Sequence, residues 1–75
     1  MGKFVLRKRF DFPDAAAETA AWLRSPDFHL REVATVEVSE RDDGWWIYLR
    51  LEGPFVNEAT IADAADALPG FERVD

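Results

Sequence analysis

Asp42-Asp43-Gly44-Trp45-Trp46-Ile47-Tyr48-Leu49-Arg50-Leu51 is a turn that opens directly into a strand with large aromatics on both faces. Successive side chains of a strand point to opposite sides. Trp45, Ile47, Leu49 and Leu51 therefore share one face, and Trp46, Tyr48, Arg50 and Glu52 share the other. A small domain needs one such face for its core. The second aromatic set calls for a separate explanation.

Upstream of the turn, Leu30 to Glu40 reads as the partner strand, with Ala34, Val36 and Val38 on one side and Arg31, Thr35, Glu37 and Ser39 on the other. Asp43-Gly44 is the expected two-residue loop of type I′, in which both central residues take positive φ. With that loop, Val38 meets Leu49 and Val36 meets Leu51, so the apolar sets coincide. On the other face Glu37 meets Arg50, Ser39 meets Tyr48 and Arg41 meets Trp46. A slip by one residue turns every apolar side chain to the wrong side.

Residues 3–12 alternate in the same way, with Phe4, Leu6, Phe10 and Phe12 opposite Lys3, Val5, Arg7 and Arg9. Lys8 alone breaks the apolar side, and either snorkels to an edge or marks a bulge. Asp11-Phe12-Pro13-Asp14 then signals a helix start, with an Asp cap and Pro in the first turn. Ala16, Ala20 and Leu23, with Ala17 and Ala21 beside them, form a stripe of small residues suited to close packing on a sheet. Ser25-Pro26 ends this helix, because the residue before proline is pushed out of the α region. Phe28 is the expected anchor of the following loop.

Gly53-Pro54 breaks the third strand. Asn57 reads as the cap of a second helix, with Val56 and Ile61 spaced as a hydrophobic staple. Ile61, Ala65 and Leu68 are the expected buried face, and Leu68-Pro69-Gly70 the stop. Phe71 to Val74 can add a short edge strand. The order strand, helix, strand, strand, helix, strand is a split βαβ pair. It predicts an α+β domain over residues 1–75 of ferredoxin-like βαββαβ plan: a four-stranded antiparallel sheet with two helices on one face. Right-handed crossovers put the first and third strands at the centre. One sheet face is then left uncovered.

Composition narrows the function. The chain has 75 residues and no cysteine, so neither a disulfide framework nor a thiolate metal site holds it together. Cohesion has to come from packing, to which a homodimer would add. Lys3, Arg7, Lys8 and Arg9 carry four positive charges, which leaves −10 on the rest of a chain whose net charge is −6. That balance argues against wholesale nucleic-acid binding. No apolar run approaches the ~20 residues of a membrane span, and no signal-peptide core follows Met1. A cytosolic protein without membrane contact is the expectation.

Catalysis has little to work with. His29 is the only histidine, and beside Pro26, Asp27 and Phe28 it reads as a surface or capping imidazole rather than a general base. Ser25 and Ser39 lack a nucleophile motif, and the four glycines form no phosphate loop. Asp42-Asp43 before Gly44 is ordinary turn chemistry rather than a cation site. No catalytic residue, metal or cofactor is expected.

The uncovered sheet face is the better candidate. Trp46, Tyr48 and Arg50 of the third strand are flanked there by Arg41 of the second and by Arg7 and Arg9 of the first. Aromatics with arginines suit a protein interface, where Trp, Tyr and Arg dominate the binding energy. They also suit stacking of single-stranded RNA bases. The plain structural alternative has Trp46 packed under Arg41 and Tyr48 spanning the pleat, which stabilises the hairpin by roughly 0.5–1 kcal/mol of cation–π attraction. Glu58, Asp63 and Asp66 on the second helix, with Asp14 and Glu18 on the first, form acidic faces. Such faces are commonly only solvated, but they also fit a phage-type inhibitor that mimics nucleic-acid phosphates.

The strand leading into Phe10-Asp11-Phe12-Pro13-Asp14-Ala15-Ala16, the alanine-rich helix, and the hairpin closing on Asp42-Asp43-Gly44-Trp45-Trp46-Ile47-Tyr48-Leu49 together resemble the RraB-type ribonuclease E inhibitor family. The likeness covers most of the chain in element order, and the hairpin and the start of the first helix in residues. The ending Leu68-Pro69-Gly70-Phe71-Glu72-Arg73-Val74-Asp75 departs from the Gly-Gly-x-Tyr-Asp-Gly-Trp type usual in such relatives. The resemblance implies a catalytically inert acidic protein that binds and regulates another protein.

Overall fold

The chain runs β1 (Gly2–Phe10), α1 (Pro13–Leu23), a 3-10 turn (Arg31–Val33), β2 (Ala34–Arg41), β3 (Gly44–Gly53), α2 (Glu58–Ala67) and β4 (Glu72–Val74). This is a computed structural model that describes residues 2–74; Met1 and Asp75, the ends of the expected domain, lie outside the described residues. The four strands form one sheet in the order β2-β3-β1-β4, with every neighbouring pair antiparallel. The first and third strands are central, as the ferredoxin-like plan requires.

Parity of the strand residues decides where the core lies. Leu6 and Phe10 of β1 and Ile47, Leu49 and Leu51 of β3 point to one side and are buried. Ala16, Ala20 and Leu23 of α1 and Ile61 and Ala64 of α2 join the same cluster, so both helices cover the same sheet face. Small side chains at Ala16 and Ala20 let α1 lie close to the sheet. Phe28 is 1% exposed and anchors the loop between α1 and β2. Each fully buried side chain of Leu or Phe size contributes roughly 1.5–3 kcal/mol.

The hairpin register differs from the sequence expectation. Val36 faces Leu49, Val38 faces Ile47 and Arg41 faces Gly44, so Asp42 and Asp43 form the loop. No non-glycine residue among the described ones has positive φ, so the loop is not type I′. Within the turn Gly44 carries the positive φ, at 139°, which glycine adopts without a Cβ penalty. Each partner moves by two residues, which leaves every side chain on its expected face.

Other boundaries also move. Phe12, expected on the buried side of β1, is 69% exposed, because the strand ends at Phe10 and the chain turns outward into α1. The expected Asp cap of α1 does not form; Phe12 holds the cap position without a side-chain bond, and Asp11 instead accepts from Arg9 Nη1 at 2.6 Å. Leu30 to Val33, expected in β2, go into the loop and the 3-10 turn. In α2 the buried residue is Ala64, three residues after Ile61, and Ala65 is exposed. Trp45 packs at the end of the core but stays half-buried. Lys8 pairs with Ile47 in an unbroken ladder and reaches over the Phe10 ring at 4.9 Å, so it snorkels and there is no bulge.

The start of α2 forms as a capping box. Thr60 N–H donates to Asn57 Oδ1 at 3.1 Å, and Asn57 N–H donates to Thr60 Oγ1 at 3.2 Å. Val56 and Ile61 are both buried, as a staple requires. Asn57→Ala is expected to cost about 1 kcal/mol. In a domain of this size that lowers Tm by roughly 4–8 °C in a circular-dichroism melt; an unchanged Tm would count against the box.

Candidate functional site

The sheet face away from the helices carries the odd-numbered residues of β1 and β2 and the even-numbered residues of β3 (parity set by the core). Cross-strand pairing places Arg7 opposite Tyr48, Arg9 opposite Trp46 and Val5 opposite Arg50. From the other side Glu37 faces Tyr48, Thr35 faces Arg50 and Ser39 faces Trp46. At the β4 edge Glu72 faces Arg7 and Val74 faces Val5. All six expected residues, Trp46, Tyr48, Arg50, Arg41, Arg7 and Arg9, thus lie on this one face.

Trp46 and Tyr48 stack at 6.3 Å between ring centroids, with 24° between their planes. Arg7 lies over the Trp46 ring at 5.0 Å, and Arg41 over the Tyr48 ring at 5.5 Å. The four side chains form one braced row. The arginine on Trp46 is Arg7 of the neighbouring central strand, not Arg41, because the two-residue change of register moves Arg41 beyond the tryptophan's direct partner. Trp46 Nε1–H donates to Asp43 Oδ1 at 2.9 Å, which ties the indole to the turn. Arg9 Nη1 donates both to Asp11 Oδ1 and to the Asp43 carbonyl oxygen, the latter at 2.9 Å, and clamps the same turn to the end of β1.

Arg7 Nε donates to Glu72 Oε1 at 2.9 Å. The Arg7 guanidinium is held above its ordinary pKa, first by that hydrogen bond; desolvation opposes it, and the charge of Glu72 and then Tyr48 add to the rise. The bond to Glu72 and the contact with the ring orient Arg7 over the indole.

Two concavities open on this face. A notch of about 230 Å³ is lined by Val5, Thr35, Glu37, Arg41, Tyr48 and Arg50. A shallower depression of about 500 Å³ adjoins it, between Arg7, Arg41, Asp42, Asp43, Trp46 and Tyr48. Charges of both signs line each. Glu72, Asp43 and Thr35 were not singled out in the sequence as parts of this site. Asp43 sits three residues before the indole it binds, a signal that turn geometry could have supplied. Glu72 meets Arg7 only because β4 pairs with β1.

The other expected groups stay apart from this face. Glu58 is tied to Arg73, whose Nη1 donates to Glu58 Oε2 at 2.9 Å, and so is not a free acidic contact. Asp63, Asp66, Asp14 and Glu18 are exposed on the helices. His29 is exposed and lies edge-on to Phe28 at 5.7 Å, with no acidic or nucleophilic partner among the described residues. No group of three or more His, Asp or Glu among the described residues is arranged to hold a metal ion, and no described helix is long and apolar enough to cross a membrane. No protein-family model, curated protein or solved structure matches this chain.

Proposed function

We propose that this is a small non-catalytic regulatory protein of the cytosol that binds another protein through the uncovered face of its sheet. The reading is supported above all by the braced row of Arg7, Trp46, Tyr48 and Arg41. Aromatic rings held in place by cations lose little conformational freedom on binding, and rigid Trp, Tyr and Arg anchors are what protein hot spots use. The resemblance to RraB-type ribonuclease E inhibitors points the same way, toward an inert acidic binder.

Single-stranded RNA is the weaker alternative. Arg7 and Arg41 already lie over the two rings, so a stacked base has to displace a guanidinium. Glu37, Glu72, Asp42 and Asp43 also surround the arginines, and the whole chain carries −6. The phosphate-mimic reading has only Asp63 and Asp66 left on α2, with Glu58 engaged by Arg73.

The test is capture of partners from cytosol of the source organism by the wild type and by a Trp46→Ala, Tyr48→Ala double variant. Each hot-spot aromatic is worth about 2 kcal/mol or more, so recovery should fall at least roughly thirtyfold. Undiminished capture by a folded double variant sinks the sheet-face site. Titration with mixed single-stranded RNA at low salt is expected to leave tryptophan emission unchanged. A saturable quench that weakens with salt would favour the RNA reading. Light scattering of the free protein separates both from a homodimer that hides Trp46 in its own interface.

A further inference from the structure

We infer that the notch between Arg41 and Arg50 receives one carboxylate of the partner, the side chain of an Asp or Glu in the bound segment. The inference rests on the proposal that this sheet face binds a protein, and it names the chemistry of one contact.

The arginines of the molecule are not equivalent. Arg7 is paired with Glu72, Arg9 with Asp11 and Arg73 with Glu58. Arg24 donates to the Val36 carbonyl oxygen at 3.0 Å, and Arg31, also without an ion pair among the described residues, lies on the 3-10 turn and does not line the notch. Arg41 and Arg50 have no carboxylate within ion-pair distance among the described residues, yet both line the same notch. Arg41 is held over Tyr48, so its position is set before any ligand arrives. Arg50 is flanked by Thr35 and Val5, its direct neighbours on the two adjoining strands. Two cations without an ion-pair partner among the described residues, in a notch also lined by the Thr35 hydroxyl and the apolar Val5 side chain, match a carboxylate that brings its own stem.

The sign and size of the charge select the ligand. Glu37 is on the notch wall and removes one of the two positive charges, leaving a net +1. A single carboxylate neutralises that; a phosphate dianion overshoots it and meets Glu37. The chain's −6 adds a general repulsion of polyanions.

The test uses the whole isotope-labelled chain and follows the Arg side-chain Nε–H resonances by NMR. The probes are acetyl-Thr-Val-Glu-Val-Thr-amide and versions with Gln or phosphoserine at the centre. A fourth peptide has Gln at the centre and a free C-terminal carboxylate. With the Glu peptide, Arg41 and Arg50 resonances are expected to shift saturably. The capped Gln peptide should bind at least about tenfold more weakly, because a charge-assisted contact is lost. Arg41→Gln and Arg50→Gln should each weaken the Glu peptide by a similar factor, and Arg50→Gln, at a residue outside the row of Arg7, Trp46, Tyr48 and Arg41, should leave the Trp46 indole resonance in place.

Equal affinity for the Glu and Gln peptides, or shifts that miss both arginines, would overturn the inference. Tighter binding of the phosphoserine peptide overturns the charge argument, and tighter binding of the free-carboxylate peptide overturns the side-chain source. The two readings also fail separately. If partner capture is lost in the Trp46, Tyr48 double variant but kept in Arg50→Gln, which lines the notch and is outside the braced row, the notch is wrong and the face stands. If capture survives in both, the face reading falls as well.

Discussion

Leu49→Ala is expected to abolish cooperative folding at 25 °C. Leu49 is fully buried on the central strand β3, between its cross-strand neighbours Leu6 and Val36 and beneath the helices. A truncation of this kind costs about 2–5 kcal/mol, because the transfer energy is lost and the cavity collapses only in part. The core of so small a domain rarely supplies more than ~3–5 kcal/mol in total. The two quantities are comparable, so little stability remains. Near-ultraviolet circular dichroism of the three tryptophans should lose its fine structure, and urea should produce no sharp transition. Val38→Ala provides the control. Val38 points to the same side of the sheet but sits on the edge strand at 39% exposure, and should cost under about 1 kcal/mol. A folded Leu49→Ala with a loss as small as the control would refute the assignment of the core.

Gly44→Ala has the second-largest expected effect. A Cβ at Gly44 would stand 2.7 Å from the Phe10 carbonyl oxygen, and the residue has φ of +139°. The obstacle is backbone held in the β1–β3 ladder, so it cannot swing aside as a side chain would. A strained φ costs on the order of 1–3 kcal/mol, and the steric conflict adds to it. The urea midpoint should fall with little change in slope, since the same surface is exposed on unfolding. Gly53→Ala separates this from a general glycine effect. Its Cβ would meet only Val33 and Val56 side chains at 3.6 Å, an ordinary contact, so its midpoint should hardly move. Equal losses for the two variants would mean that the turn does not require glycine at position 44.

Both predictions depend on features that were legible to different degrees. The alternation gave the faces of β1 as far as Phe10 and those of β3 correctly, because parity is a local property of an extended chain; it failed at Phe12, where the strand has ended. Asn57 with Thr60 three residues on, and Val56 with Ile61, gave the start of α2, because a cap is satisfied within one turn. Asp11 failed as a cap for the opposite reason. A long-reaching competitor, Arg9, holds the carboxylate, and only the end of β1 places it there.

The candidate face divides along the same line. That Trp46, Tyr48 and Arg50 share a face with Arg7, Arg9 and Arg41 follows from parity and element order. Which arginine covers which ring does not follow, because a shift of two residues leaves the faces intact while changing every partner. The local pattern is blind to such a shift. Gly44 resolves it: only glycine passes under the Phe10 carbonyl oxygen, and the aspartates before it keep negative φ.

The sequence by itself determined the element order, the uncovered sheet face and the placement of two aromatics on it, since periods of two and of three to four residues are written into neighbouring side chains. Only the tertiary structure decided the hairpin partners, the pairing of Arg7 with Glu72, and that Arg41 and Arg50 share a notch with Glu37 without an ion pair among the described residues. The hairpin partners depend on Gly44 fitting under β1, and the Arg7–Glu72 pair on β1 meeting β4 from the far end of the chain, so steric fit and charge pairing choose between arrangements that look identical along the chain.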